Sequence, residues 1–292
     1  RKQGFGRMRR RRAEARALAA DQDKSLAHVF LWNSAAARPS GVFSRFHDER
    51  GTFAQQMRRV DFTCLKRDEK SARRALQEHP LIIVRTPLRV SFFGGGTDHP
   101  SWFGRPEPGA VLSTSIDKFI YVQLRKLPAV FDFNYRVAWG MLEEVKSIAE
   151  IQHPVVRAVL EHYGPDQESG YEVIYNADLP SRSGLGSSSA FTVSMLHAFL
   201  GDHGKLCSKR FLAAEAIRVE QDLLSEPVGS QDQIGTAYGG LNRIEFEPDG
   251  SFRVSPVRMT QARRAQLEGR LMMFFTGFTR SASAVELSKV KE

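Results

Sequence analysis

The chain is poor in cysteine, with only two residues, Cys64 and Cys207, among 292. Two thiols cannot build the disulfide framework on which small secreted domains depend, so a hydrophobic core must hold the fold, and a reducing cytoplasm is the expected compartment. Long apolar runs are also lacking. None reaches the roughly 18 residues that a membrane-spanning helix needs, so the sequence reads as soluble, with no membrane partner. No internal repeat is visible. Acidic charge is scarce at one end only. The whole chain carries 42 Lys/Arg against 33 Asp/Glu, a net of +9, but the first 80 residues hold 19 against 9 and the remaining 212 hold 23 against 24. The basic excess that would suggest a nucleic-acid partner is therefore confined to the first quarter of the chain. With 41% hydrophobic residues, the rest has ample material for a core.

The first 80 residues read as a basic, poorly ordered extension unrelated to the remainder of the chain. An Arg run spans Arg9 to Arg12, with Glu14 as its nearest acid. Helix is expected around 8–21 and 67–77, and no strand pattern is found. The chain opens on Arg1, as a processing boundary would leave it, while the acids Asp21, Asp23, Asp48 and Glu49 argue against a transit peptide. Few aromatics interleave the Arg run, so base stacking has little support.

The texture changes at Leu81. Leu81–Thr86 is a β-branched run suited to a buried strand ended by Pro87, and Arg89–Phe93 is a second short run that meets the glycines 94–96. Further strands are expected over 110–116, 118–127, 133–139, 171–175, 241–246 and 271–276. Pro154 opens a helix carrying Val155, Val156, Val159 and Leu160, with Gly164 at its end. Two more helices are expected over 187–200 and 208–224, the second with Phe211, Leu212, Ile217, Leu223 and Leu224 near one face. Strands cluster early and helices come after them, so the class is α+β.

The strongest chemical signal is Asp178-Leu-Pro-Ser-Arg-Ser-Gly184-Leu-Gly186-Ser-Ser-Ser-Ala190. Glycines let the backbone approach a ligand, and the three hydroxyls fall at a helix start, where free N–H groups and the positive dipole end favour an anion. A phosphate chain suits that place, and a serine there can reach the metal that accompanies polyphosphate. The segment is neither a Walker P-loop, since it lacks the Gly-Lys-Ser/Thr ending, nor a dinucleotide fingerprint. Glu220 on the next helix and Asp232 beyond Pro227 supply two carboxylates. Phosphoryl transfer has a use for both, one for magnesium and one to orient or deprotonate the attacking hydroxyl.

Two segments together, TPLRVSFFGGGTD over Thr86–Asp98 and Leu179–Ala190, resemble the first two motifs of the GHMP small-molecule kinases, a family that includes galactokinase, homoserine kinase and mevalonate kinase. Ile151–Pro154, Val219–Asp222, Val228–Gln233 and Tyr238–Phe246 look like the branch that phosphorylates the anomeric hydroxyl of heptose 7-phosphate in supply of surface-polysaccharide precursors. The resemblance covers roughly residues 81–290. It implies a ribosomal-protein S5 domain 2-like N-terminal subdomain over 81–270, ATP as co-substrate and Mg2+ as cofactor.

By the same resemblance, Gly184, Leu185, Gly186, Ser187, Ser188 and Ser189 would hold the ATP phosphates, and Ser188 with Glu220 would ligate magnesium. Asp232 would activate the sugar hydroxyl, with Arg89 beside the transferred phosphate. Gly95, Thr97 and Asp98 would face the sugar. A phosphorylated sugar would call for further cations, for which Arg105, Lys118, Arg125 and Lys126 are the candidates. The third glycine-rich motif of the family has no counterpart after Arg280, so residues 271–292 are expected to be only the start of a second subdomain. Two alternatives stand beside this reading: a fucokinase- or galactokinase-like enzyme acting on a free hexose, and a non-catalytic remnant whose basic arm binds nucleic acid.

Overall fold

The structure, a computed structural model, describes residues 28–32, 81–102, 108–164, 170–181 and 183–274. The strands are β1 (His28–Trp32), β2 (Leu81–Phe93), β3 (Gly109–Leu127), β4 (Tyr135–Ala138), β5 (Leu142–Val145), β6 (Gly170–Ala177), β7 (Leu241–Phe246) and β8 (Phe252–Pro256). The α-helices are α1 (Pro154–Tyr163), α2 (Ser187–Asp202), α3 (Lys209–Arg218), α4 (Gln231–Tyr238) and α5 (Gln261–Glu268). All eight strands form one sheet in the order β1-β2-β3-β6-β4-β5, with β7 also on β3 and β8 on β7. Every pair is antiparallel except β4 with β6, which are joined by a crossover through β5 and α1.

The long strand β3 organises the sheet. Along one edge it pairs β2, and along the other it pairs β7 through Gly109–Thr114 and β6 through Ile120–Leu127. Alternate residues Ile82, Val84, Ile120, Val122, Leu124, Val137, Val173 and Ile244 are buried under the helices, while Ile83, Arg85, Tyr121 and Gln123 between them stay half-exposed. This is the period-2 pattern of a sheet with one covered face. Helix α2 lies against β2 and β3 and also touches α1, α3 and α4. Contact on every side explains why it is apolar nearly all round, with twelve of its sixteen residues buried.

Several sequence expectations change here. The two runs flanking Pro87 form one thirteen-residue strand. A register shift between Pro87 and Arg89 accommodates a residue without an N–H. The two strands expected over 110–127 are likewise one. Helix over 208–224 ends its α-helical turns at Arg218 and continues as a π-helical turn over Val219–Leu223. Its buried face is Leu212, Ala213, Ala216 and Val219, whereas Phe211 and Leu223 are exposed.

His28–Trp32 supplies a strand where the sequence showed none. The rest of 1–80, including the helices expected over 8–21 and 67–77, lies outside the described residues. Leu271–Phe274 is not a strand and is exposed, and 275–276 lie outside the described residues. Among the described residues no helix is long and apolar enough to cross a membrane.

Leu196 on α2 is fully buried in the core. Leu196→Ala should lower unfolding stability by about 2–5 kcal/mol, read as a lower denaturant midpoint at unchanged slope. A loss under about 1 kcal/mol would contradict the central placement of α2.

Candidate active site

The glycine-serine segment runs from the end of β6 into α2, and its geometry is set by two glycines. Gly186 is the N-cap of α2 at φ +71°, a backbone that strains any other residue, and a Cβ there would press on Arg89 Cγ at 3.0 Å. Helices α1, α3 and α5 each have a capping side chain, His153, Ser208 and Thr260. The α2 cap has none, so its first-turn N–H groups have no acceptor from the capping residue.

Arg89 and Asp232 meet at this turn. Arg89 donates through Nε to Asp232 Oδ1 at 2.8 Å, its Nη2 lies 2.5 Å from the same oxygen, and its Nη1 donates to the Gly184 carbonyl at 3.1 Å. The Arg89 backbone N–H donates to the Leu185 carbonyl at 3.0 Å. One residue of β2 therefore ties down both the glycine turn and the first turn of α4, where Asp232 sits. Both guanidinium contacts use Oδ1. Asp232 Oδ2 lies 3.5 Å from where a Cβ on Gly186 would be, and the Asp232 side chain is a quarter exposed.

The residues expected to face a sugar have other work. Asp98 is 1% exposed, and its carboxylate accepts from the Gly96 N–H at 2.9 Å, the Gln231 N–H at 3.0 Å and Gln231 Nε2 at 3.2 Å. It caps α4 and ties the 94–98 turn to it, so its role here is positional. Gly229 permits the approach, since a Cβ there would fall 2.0 Å from Asp98 Oδ2. The Thr97 hydroxyl donates to the Gly94 carbonyl at 2.8 Å and accepts from the Ala110 N–H at 3.0 Å. Gly95 stays exposed.

The expected metal pair is also rearranged. Ser188 is exposed, whereas Glu220 is 2% exposed and accepts at Oε2 from Ser189 Oγ at 2.9 Å and Gln233 Nε2 at 2.5 Å. The π-helical turn carries Glu220 inward to Ser189, one residue further along the helix than expected. Glu220 Oε1 and Gln233 Oε1 are buried without partners. Burial pushes the Glu220 carboxyl up to about 7, with hydrogen bonds from Thr192, Ser189 and Gln233 opposing. A proton on Oε1 would complete an acid–amide couple with Gln233, and a cation would neutralise the same oxygen. The orphaned oxygen thus fits a magnesium ligand. Among the described residues no group of three or more His, Cys, Asp or Glu is placed to hold a metal ion.

Of the cations considered for a sugar phosphate, Arg125 pairs with Glu172 and Lys126 with Asp202 at 3.6 Å. Both lie far along β3 from Ser115, which faces Arg89; ten residues of strand span roughly 33 Å. Lys118 is half-buried mid-strand, and Arg105 lies outside the described residues. A feature with no sequence signal is an open recess of about 440 Å³ lined by Trp139, Tyr175 and the 176–181 segment that leads into the glycine turn.

Glu220 gives a pH prediction. Its folded pKa lies above the ordinary carboxylate value, so the folded state holds a proton that the unfolded state releases, and stability falls as pH rises from about 4.5 to 7. Glu220→Gln should be the more stable protein at pH 8, by up to about 3 kcal/mol, with the gap closing toward pH 4. Denaturant unfolding at the two pH values measures it, and a gap that does not vary with pH would contradict the assignment.

Comparisons with known proteins agree with this architecture. Residues 148–240 match the GHMP kinases N terminal domain. The chain is 28% identical over 216 residues to D-glycero-alpha-D-manno-heptose 7-phosphate kinase of Campylobacter jejuni, covering 71% of this chain and 63% of that one. It is 26% identical over 225 residues to the bifunctional fucokinase/GDP-fucose pyrophosphorylase of Arabidopsis thaliana, covering 69% of this chain and 21% of that one. The chain thus spans less than two thirds of the length of these relatives. The crystal structure of a D-glycero-D-manno-heptose 1-phosphate kinase from Bacteroides thetaiotaomicron has the same fold at a TM-score of 0.58 and 22% identity, covering 64% of this chain and 63% of that one. The stretch that matches the GHMP kinases N terminal domain holds the glycine-serine turn and helices α1 to α4.

Proposed function

We propose that the chain carries the nucleotide-binding part of an ATP-dependent sugar kinase that phosphorylates the anomeric hydroxyl of D-glycero-D-manno-heptose 7-phosphate. The supporting observation is the Arg89–Asp232 pair held against Gly184 and Gly186 at the uncapped start of α2. In this reading residues 81–270 form the ATP-binding domain, 271–292 enter a second subdomain, and 1–80 are a separate basic extension.

The first-turn N–H groups of α2, with Gly184, Leu185, Gly186, Ser187, Ser188 and Ser189, receive the triphosphate on backbone dipoles. Its base enters the recess at Trp139 and Tyr175. Glu220 would hold magnesium through Oε1, and Ser188, which lies exposed at the start of α2 and does not touch Glu220 in this structure, would be the second ligand; the ion would neutralise the polyphosphate. Arg89 lies beside the glycine turn, where its guanidinium can share charge with the transferred phosphoryl group. Asp232 keeps Oδ2 clear of Arg89, and that oxygen takes the proton from the attacking sugar hydroxyl as the new P–O bond forms and the bond from the γ-phosphorus to the β-phosphate oxygen breaks, releasing ADP. The exposed Gly95 turn, fixed by Asp98 and Thr97, forms the floor on which the sugar sits, so Asp98 serves the sugar through the shape of that turn.

Heptose 7-phosphate is favoured by the higher identity to the Campylobacter relative. The fucokinase relative supports a second reading, a free hexose as acceptor. Transfer of labelled γ-phosphate, tested across heptose 7-phosphate, fucose and galactose, separates the two. Asp232→Asn should lower transfer about 10²–10⁴-fold while calorimetry finds ATP binding within a few-fold of wild type. Equal transfer by the two proteins would remove Asp232 from the reaction.

A further inference from the structure

Strand β5 inverts the usual edge-strand pattern. Leu142 is 63% exposed, while its neighbour Glu143 points inward and is 5% exposed. A carboxylate so buried is costly unless donors meet it, and three do. Glu143 Oε1 accepts from the Trp139 indole N–H at 2.6 Å and from the His153 backbone N–H at 3.2 Å, and Oε2 accepts from the Gln152 N–H at 2.5 Å.

The hairpin does not need this carboxylate to close. The Trp139 backbone N–H already donates to the Met141 carbonyl at 2.9 Å, and Ala138 pairs with Leu142. What Glu143 adds is an acceptor for the Gln152 and His153 N–H groups at the approach to α1 and a directional hold on one side chain, the indole that lines the recess ahead of the glycine turn.

That indole begins an aromatic string. The Trp139 ring meets the His153 ring edge-on at 4.8 Å, His153 lies 4.6 Å from Phe191 on α2, and Phe191 meets Tyr175 edge-on at 5.3 Å. Tyr175 is a second wall of the same recess. Burial lowers the His153 imidazole to about 4, so the string is uncharged near neutral pH. Its first ring is held by a carboxylate, its third belongs to α2 and its last to β6.

We propose that Glu143 is a positioning residue which, through the Trp139 indole N–H, sets the wall of the recess at the angle that accepts a flat nucleobase, so that the site prefers a nucleotide over bare polyphosphate. Trp139 touches the base, and Glu143 does not. The proposal rests on the reading of Gly184–Ser189 as the phosphate site, and the test keeps the two apart.

The 292-residue chain is titrated calorimetrically with magnesium-ATP and with magnesium-tripolyphosphate, as wild type, Glu143→Gln, Trp139→Phe and the double variant. Each single variant should weaken ATP about tenfold, the worth of one aromatic contact, and leave tripolyphosphate within about twofold. The double variant should be no weaker than Trp139→Phe alone, since Glu143 acts through that indole. Equal weakening of both ligands by Glu143→Gln would show a merely structural role and overturn the proposal, as would unchanged ATP affinity. If Glu143→Gln does not fold, Trp139→Phe decides by the same comparison. A wild-type chain that binds neither ligand overturns the phosphate-site reading and this proposal with it.

Discussion

The contact on which the site depends is the ion pair between Arg89 and Asp232. It joins three pieces of chain that are far apart in sequence: the middle of β2, the glycine turn and the first turn of α4. Arg89 has 11% of its side chain exposed, so its charge is largely withdrawn from water and needs the carboxylate and the Gly184 carbonyl as compensation. A charge in that position is worth little to stability compared with an apolar residue of similar size. Its value is geometric: the same guanidinium fixes where the turn lies and leaves one oxygen of Asp232 uncommitted.

The surrounding structure serves that junction. A helix buried on every side cannot drift, so α2 carries its uncapped start at a fixed place against β2. Two buried carboxylates then set the neighbouring parts. Asp98 draws the 94–98 turn onto α4, which aims Asp232, and Glu143 draws the β4–β5 hairpin onto the approach to α1, which aims Trp139. Glu220 stands apart from both, because one of its oxygens has no partner, and burial raises its proton affinity.

The parts legible in the sequence were those with a local physical signature. Pro154 and Gly164 bound α1 as first-turn proline and terminal glycine should, and the glycine-serine segment leads into α2 at Ser187 as expected. Long-range compensation was invisible. Pro87 reads as a strand end because nothing local reveals the register shift that tolerates it. Helix α4 is eight residues long and is capped by a carboxylate 133 residues away, so Asp232 gave no sign of lying on a helix. The exchange of Ser188 for Ser189 beside Glu220 arises from a π-helical turn, which no apolar period announces. Glu143 lies in a strand that shows its leucine outward, so nothing local marks it as buried, and only the donors from Trp139, Gln152 and His153 reveal it.

The most direct measurement is a crystal structure of this chain with a non-hydrolysable ATP analogue. The account predicts a triphosphate lying on the first-turn N–H groups of Ser187–Ser189, its terminal phosphate nearest to Arg89 and Asp232, and its base in the recess beside Trp139. A triphosphate bound elsewhere, with the start of α2 left clear of it, would contradict the account.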